Sequence, residues 1–378
     1  MSKLPAVSEP LFVTKPVLPD LNIYFEMLKE VWASSRLTNN GPKHSLLEAN
    51  LKDTLKAKNI SLFNNGTIAL MIACQSLQLS GEVITTPFTF PATPHVLTWN
   101  NIKPLFCDID PLTLNIDAER IESLITPQTK GILAVHVFGT PCDVVKIQEV
   151  ADRYKLRVVY DAAHAFGVEI GGRGVGTYGD ISMFSFHATK LFHTAEGGAL
   201  TFNDENLKTR IDLLKNFGIK NEEEVAMPGI NGKMNEIQAA LGLALLGCID
   251  AEKIKRKKVA DAYRHYLGGI EGITIVFQEL PDVTPSYQYF VIRISASTFG
   301  SSRDEVFDRL RMNNIYARKY FFPLCSNYPS YQHLPTANPV NLQVANNAAK
   351  EVLALPFYGD LSDSDIEKIC HIIIGKNS

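Results

Sequence analysis

The chain has 378 residues, of which 46% are hydrophobic and 20% are charged, so it can bury a large core and is too apolar to be disordered. Lysine and arginine number 37 against 40 aspartate and glutamate residues, and the net charge of −3 argues against a nucleic-acid partner. The longest apolar segment, residues 237–249, is shorter than the ~18 residues of a membrane helix, and no signal peptide is apparent. The six cysteines form no CxxC pair, so we expect free thiols, no metal site and a cytoplasmic protein.

Apolar periodicity predicts short strands and helices that alternate along the first part of the chain. Helices are expected over residues 21–34 and 43–58, with a loop at 37–42 between them. The following elements are, in order, strand 60–63, helix 68–78, strand 82–87, helix 90–100, strand 103–108, helix 117–124, strand 130–136, helix 142–154 and strand 157–161. Such an alternation indicates an α/β fold with a mostly parallel sheet that helices cover on both faces.

The last part of the chain has a different pattern, which predicts a smaller α+β domain. Strands at 181–186 and 198–202 precede a long helical region at 236–267. Beyond it we expect strands at 274–277, 288–294 and 317–319, and helices at 302–312, 344–353 and 362–374, the last with Ser362 as its N-cap. We therefore expect a large domain over residues 1–245 and a smaller one over 246–378.

One lysine stands in surroundings that are unusual for its residue type. Lys190 is flanked by Phe186, Leu191 and Phe192, and desolvation there would lower the pKa of its amine. Upstream, the apolar strand 157–161 ends in Asp161. A lysine and a carboxylate so placed suggest a Schiff-base site for pyridoxal 5'-phosphate (PLP), in which the carboxylate keeps the pyridine nitrogen protonated. The alternatives are a surface lysine and a structural aspartate.

Other residues near predicted strand ends suit the remaining parts of that cofactor. The triplet Asn65-Gly66-Thr67 opens a predicted helix, where backbone N–H groups suit a phosphate, although an ordinary N-cap turn has the same pattern. Ser185 would face the phosphate or cap a helix. Phe90 would cover the pyridine ring or lie in the core. His164 would bond the cofactor's phenolic oxygen, bond the aspartate or be a core histidine.

Eight motifs occur in a characteristic order along most of the chain. They are NGT at 65–67, TTPFTF at 85–90, DID at 108–110, VHVFG at 135–139, DAAH at 161–164, SFHATK at 185–190, EGG at 196–198 and GINGKMNEIQAA at 229–240. As a set they resemble the DegT/DnrJ/EryC/StrS family of nucleotide-sugar aminotransferases. The resemblance implies the aspartate-aminotransferase fold (PLP fold type I).

The resemblance also implies a role for each matching position. Lys190 would form the Schiff base, and Asp161 would bind the pyridine nitrogen. His164 would lie beside the phenolic oxygen, and Phe90 would stack on the ring. Three residues would hold the phosphate: Gly66, Thr67 and Ser185. Asn231 would reach the phosphate of the neighbouring subunit's cofactor, which implies a homodimer with shared sites. Thr38 and Asn39 lie in the family's substrate loop, and Tyr316 and Lys319 lie where the family contacts the nucleotide sugar.

The reaction so implied is transfer of an amino group from L-glutamate to a nucleotide-linked ketosugar. The chain most resembles the members that convert dTDP-4-dehydro-6-deoxy-D-glucose to dTDP-4-amino-4,6-dideoxy-D-glucose, a precursor of O-antigen sugars. Lys190 argues against the related dehydratases, which carry histidine at this position. Three alternatives stay open: amination of a 3-ketosugar, a PLP enzyme of another reaction class, and a regulatory or binding module of the same fold.

Overall fold

A computed structural model describes residues 9–276 and 279–375 of the chain. The strands in these residues are β1 (Leu11–Phe12), β2 (Asn59–Phe63), β3 (Glu82–Thr85), β4 (Lys103–Phe106), β5 (Thr129–Val135), β6 (Arg157–Asp161), β7 (Glu169–Ile170), β8 (Arg173–Gly174), β9 (Ile181–Ser185), β10 (Gly198–Phe202), β11 (Ile273–Ile275), β12 (Val283–Thr284), β13 (Phe290–Ile294), β14 (Ile315–Tyr316) and β15 (Val352–Leu355). The α-helices are α1 (Leu21–Ser34), α2 (Pro42–Thr54), α3 (Gly66–Ser76), α4 (Ala92–Trp99), α5 (Ala118–Ile121), α6 (Val144–Tyr154), α7 (Asn206–Leu214), α8 (Glu236–Leu246), α9 (Ile249–Leu267), α10 (Ala296–Phe299), α11 (Arg303–Met312), α12 (Gln343–Glu351) and α13 (Asp363–Ile374).

The central sheet has seven strands in the order β2-β10-β9-β6-β5-β3-β4. Neighbours from β9 to β4 are parallel, and β10 runs antiparallel to both β2 and β9. The strands are apolar and almost entirely buried, as a sheet covered on both faces requires. The predicted α/β class and the mostly parallel sheet are therefore confirmed.

The order of the strands brings the predicted motifs to one edge of this sheet. Parallel strands present their carboxyl ends together, so Asp161 at the end of β6 lies beside the end of β9, where Ser185 stands. The end of β2 leads directly into the N-terminus of α3. This edge is where open α/β sheets bind ligands.

The C-terminal part of the chain contains a second, antiparallel sheet of the order β11-β13-β15. Its apolar face shares one core with α9, α11 and α13, which gives the expected α+β arrangement. The N-terminal β1 pairs in parallel with β14, so the start of the described chain contacts this region as well. The proposed boundary at residues 245/246 falls at the end of α8 and stays a prediction.

Several predicted elements differ from the structure, and each difference has a local reason. The helical region at 236–267 is two helices, α8 and α9, because Gly247 and Cys248 interrupt it. The helix predicted at 344–353 ends at Glu351, and β15 begins at Val352, because short apolar runs do not distinguish helix from strand. Residues 317–319 form no strand, although Arg318 bridges Ala354.

The last helix begins where the sequence predicts, whereas one helix of the large sheet region was not predicted. Ser362 is the N-cap of α13, as predicted, and its side chain accepts the N–H of Asp365. Helix α7 was not predicted, and Phe277, the end of the predicted strand at 274–277, lies outside the described residues. No helix in the described ranges is long and apolar enough to span a membrane.

Candidate active site

Asp161 and Lys190 lie on neighbouring connections at the carboxyl edge of the sheet. Asp161 is 4% exposed, and its carboxylate accepts hydrogen bonds from the N–H of Ala163 at 3.1 Å and the hydroxyl of Thr93 at 2.8 Å. Lys190 follows β9 in a tight turn, in which its N–H donates to the carbonyl of His187 at 2.9 Å. The sheet thus positions the carboxylate rigidly and presents the lysine from a loop.

Burial perturbs both groups, and each group responds to the charge of the other. Burial raises the pKa of the Asp161 carboxyl, while the hydrogen bonds from Ala163 and Thr93 and the charge of Lys190 act to lower it. Burial lowers the pKa of the Lys190 amine to about 8, and Asp161 and Tyr320 oppose that shift. An amine with this pKa is partly unprotonated near neutral pH, which suits a nucleophile that also transfers protons.

His164 is buried and electrically neutral in this site. Burial, assisted by the charge of Lys190, holds its pKa well below the ordinary value. Its Nδ1 accepts the N–H of Phe138 at 3.2 Å, which leaves the ring proton on Nε2 as a donor. Phe138 and Phe321 lie nearly parallel to the imidazole, with interplanar angles of 6° and 4°. The histidine is therefore oriented as a hydrogen-bond donor.

The segment from β2 to α3 forms a narrow cradle against the end of β9. Asn65 is the N-cap of α3 and accepts the N–H of Ile68, so for this residue the N-cap interpretation is correct. The N–H groups of Gly66 and Thr67, in the first turn, have no partner within the helix. A Cβ added at Gly66 would lie 3.2 Å from the hydroxyl oxygen of Ser185. Helix N–H groups and a hydroxyl thus converge at one place, as phosphate binding requires.

Phe90 and Thr67 line one cleft beside this cradle. Phe90 is 58% exposed, in contrast to Phe88, which is fully buried in the core. Met71 and Trp99 contribute to the same cleft. An exposed phenylalanine in the connection between β3 and α4 is available to cover a flat ring, so the core interpretation of Phe90 does not apply.

The remaining predicted site residues have no described contact with Lys190 or Asp161. Thr38 and Asn39 are exposed in the loop before α2, and Asn231 is exposed beside Asn64. Tyr316 stacks on Phe12, with ring centroids 5.1 Å apart. Lys319 forms an ion pair with Asp304. Roles for these residues stay predictions.

Two residues of the site were missed in the sequence. Thr93 bonds Asp161 from α4, and the ring of Tyr289 lies 5.7 Å from the amine of Lys190. Tyr289 stands far along the chain from every motif, and no local pattern marks it. Thr93 lies just beyond the TTPFTF motif, but only the tertiary contact gives it a role.

The residues that converge here fit PLP. The Asp161 carboxylate is buried, and the charge of Lys190 only partly offsets the cost of that burial. A protonated pyridine nitrogen beside it would supply the missing positive charge. Lys190 supplies the amine, and the cradle of Gly66, Thr67 and Ser185 supplies donors for a phosphate. A neutral histidine and an exposed aromatic ring complete a site for a flat, hydrogen-bonding heterocycle.

Comparisons with known proteins agree with this geometry. The chain matches the DegT/DnrJ/EryC1/StrS aminotransferase family over residues 22–374. It is 47% identical to an Escherichia coli dTDP-4-amino-4,6-dideoxy-D-glucose transaminase, with 96% of this chain and 98% of that protein covered. A Shigella dysenteriae protein of the same name is 45% identical, with 97% and 99% covered.

A solved structure extends the agreement to three dimensions. The crystal structure of DesI in the presence of its TDP-sugar product superimposes with a TM-score of 0.93 and 33% identity, covering 98% of this chain and 93% of that one. The chain is therefore a PLP-dependent enzyme and belongs to the DegT/DnrJ/EryC1/StrS aminotransferase family.

Proposed function

We propose that this protein transfers the amino group of L-glutamate to dTDP-4-dehydro-6-deoxy-D-glucose, giving dTDP-4-amino-4,6-dideoxy-D-glucose, an O-antigen precursor. The names of the two relatives at 47% and 45% identity support the sugar. The observation that carries the reaction type is the pairing of the buried Asp161 carboxylate with Lys190, whose amine has its pKa lowered to about 8, as a nucleophile that also transfers protons requires.

Each residue of the site has one physical task in this reaction. When bound, PLP supplies an electron sink for the charge left on carbon after a proton is removed. Lys190 moves that proton at Nζ, first from the α-carbon of glutamate and later to the sugar carbon. Asp161 holds a proton on the pyridine nitrogen, because its buried carboxylate favours a positive partner.

The other residues bind and orient. Gly66, Thr67 and Ser185 would hold the phosphate of bound PLP, and His164 would donate from Nε2 to its phenolic oxygen. Phe90 would cover one face of the ring. The nucleotide is bound away from the reacting carbon, where Thr38, Asn39, Tyr316 and Lys319 are proposed to contact it, and its binding energy orients the sugar.

The protein is further proposed to be a cytoplasmic homodimer with shared sites. Asn231 is exposed and its backbone lies beside Asn64, next to the phosphate cradle of its own subunit. In the proposed dimer its side chain reaches the phosphate of the other subunit's cofactor.

The activity is tested with the purified protein, PLP and L-glutamate. A visible absorbance band of bound PLP should appear and should bleach when glutamate is added. Addition of the 4-ketosugar nucleotide should restore it, and NMR of the product should locate the new amino group at C4. An amino group at C3 would contradict the proposed sugar, and a band that glutamate does not change would contradict the proposed donor.

The role of Lys190 is tested by Lys190→Ala. Turnover should fall by about 10³-fold or more, because the proton transfers at carbon lose their acid and base. A matched control is Lys253→Ala on α9, since burial also lowers the pKa of that amine but its described hydrogen bond is to Gly167. Equal activity of the two variants would contradict the assignment.

Shared sites are tested by mixing two inactive variants, Lys190→Ala and Asn231→Asp. In a mixed dimer one site carries both changes and the other carries neither. Random exchange of subunits should therefore restore about a quarter of the wild-type activity. A mixture that stays inactive although mass spectrometry shows mixed dimers would contradict the role of Asn231 across the interface.

A further inference from the structure

A buried glutamine from the C-terminal third of the chain bonds the backbone on both sides of Lys190. Gln288 is 2% exposed. Its Oε1 accepts the N–H of Leu191 at 2.7 Å, and its Nε2 donates to the carbonyl of Thr189 at 3.0 Å. We propose that Gln288 is a positioning residue of the transamination, which fixes the backbone around Lys190 so that the amine stays at the reacting carbon.

The two bonds together restrain the lysine more than either would alone. An amide is planar, so a donor and an acceptor held by one side chain fix both the separation and the rotation of the two peptide groups. The lysine's own N–H contributes only a turn bond to His187. Leu191 is fully buried, which anchors one side of the pair in the core. Gln288 anchors Thr189 to the same point.

The residues next to Gln288 contact the same site. The hydroxyl of Ser286 donates to the carbonyl of His164 at 2.8 Å. The ring of Tyr289 lies 5.7 Å from the amine of Lys190, with its centroid 5.0 Å from that of the His164 ring. Residues 286–289 therefore form a strap that holds the loops of His164 and Lys190 just before the chain enters β13. Within this strap, Gln288 contacts the backbone of the lysine loop.

We call the two hydrogen bonds from Gln288 to Thr189 and Leu191 the clamp. Its loss should change the pKa of the Lys190 amine, which a loss of stability alone would not change. Lys190 is partly buried, its amine lies 5.7 Å from the centroid of the Tyr289 ring, and desolvation lowers the pKa of that amine from 10.5 to about 8. A lysine loop released from Gln288 lets water reach the amine, so its pKa should rise toward the ordinary value. The proton transfers should slow as well, because a displacement of the order of 1 Å costs up to about 100-fold in rate.

The test uses Gln288→Met, which keeps the length of the side chain without its hydrogen bonds, and Gln288→Asn, which keeps the amide one carbon shorter. The matched control is Asn100→Leu, since the Asn100 amide also joins backbone groups, donating to the carbonyls of Met71 and Val96. For each we would measure kcat, KM for glutamate, the thermal midpoint and the pH dependence of Lys190 acetylation in cofactor-free protein.

The expected result is selective for Gln288. In Gln288→Met, kcat should fall by about 10- to 100-fold while KM for glutamate changes by less than about threefold, and the midpoint of Lys190 labelling should move upward. Gln288→Asn should lie between Gln288→Met and the wild type. Asn100→Leu should lower the thermal midpoint and leave the labelling midpoint unchanged.

Two outcomes would overturn the proposal. One is a kcat of Gln288→Met close to that of the wild type. The other is an unchanged labelling midpoint in both Gln288 variants, with losses of stability like that of Asn100→Leu. The proposal rests on the proposed role of Lys190 and not on the identity of the sugar. Because labelling needs neither PLP nor substrate, it still reports on the clamp if the wild-type protein transfers no amino group.

Discussion

At the scale of single residues, the chemistry of Lys190 depends on a balance between burial and charge. Burial lowers the pKa of its amine, and the negative charge of Asp161 raises that pKa again in part, so the pKa is about 8. The same pair acts on the aspartate, whose pKa burial raises and Lys190 lowers. Each group therefore limits the shift in the pKa of the other.

This balance gives a prediction for cofactor-free protein. Lys190 should react with acetic anhydride with a midpoint at about pH 8, whereas exposed lysines should react with midpoints near pH 10.4. In Asp161→Asn the midpoint should fall further, because the charge that favours protonated lysine is gone. Competitive labelling followed by peptide mass spectrometry measures both values. A midpoint of Lys190 equal to that of exposed lysines would show that the amine is solvated.

At the scale of elements, one carboxylate connects two helices and the loop between α1 and α2. Glu236, the first residue of α8, is 1% exposed and accepts the N–H groups of Lys43 at 2.8 Å and His44 at 2.9 Å. Gly41, the N-cap of α2, provides no side-chain cap, and a Cβ there would lie 2.5 Å from the Glu236 carboxyl carbon. Glu236 therefore replaces the missing cap and sets the position of the proposed substrate loop.

Replacement of Glu236 should affect stability and substrate binding together. In Glu236→Ala, the free energy of unfolding should fall by about 2 kcal/mol, because two N–H groups at a buried helix N-terminus lose their acceptor. KM for the sugar nucleotide should rise, since Thr38 and Asn39 lose their support. Urea unfolding and steady-state kinetics measure the two effects. As a control, Ser362→Ala removes an exposed cap from α13 and should leave KM unchanged.

At the scale of the whole molecule, buried neutral histidines make stability depend on pH. His44, His136 and His164 are 3%, 0% and 6% exposed. Burial is the largest cause that lowers each pKa, from 6.5 to about 3 for His44 and His136 and well below 6.5 for His164. The unfolded chain therefore binds protons in mildly acidic solution that the folded protein does not bind.

The sign of the effect follows from that difference. Stability should be fully present above pH 6.5 and should decrease as the pH falls below it, by about 1 kcal/mol per histidine for each pH unit. Asp161 acts in the opposite direction, because its raised pKa lets the folded protein take up a proton. Urea unfolding at pH 7.0 and 5.5 tests the balance. A free energy of unfolding that does not decrease between these pH values would contradict it.

Much of the fold was predictable because its signals are local. Strand 157–161 was predicted with the bounds of β6, and helix 21–34 with those of α1, since apolar periodicity and polar ends lie within each segment. The errors at α12 and β15 have the opposite cause. Val352–Leu355 becomes a strand because β13 offers a partner edge, and that edge lies about sixty residues away in the chain.

The sequence by itself predicted a Schiff-base site, because Asp161, Lys190 and the Asn65-Gly66-Thr67 turn each follow an apolar strand or begin a helix, and parallel strands bring such positions to one edge. The resemblance of its motifs to a known family implied that the reaction is amino transfer. Only the tertiary structure decided what surrounds them. Gln288 bonds Leu191 across 97 positions of sequence, and Thr93 bonds Asp161 across 68. These contacts depend on the packing of separate elements, and the pKa values depend on burial, which exists only once the chain has folded.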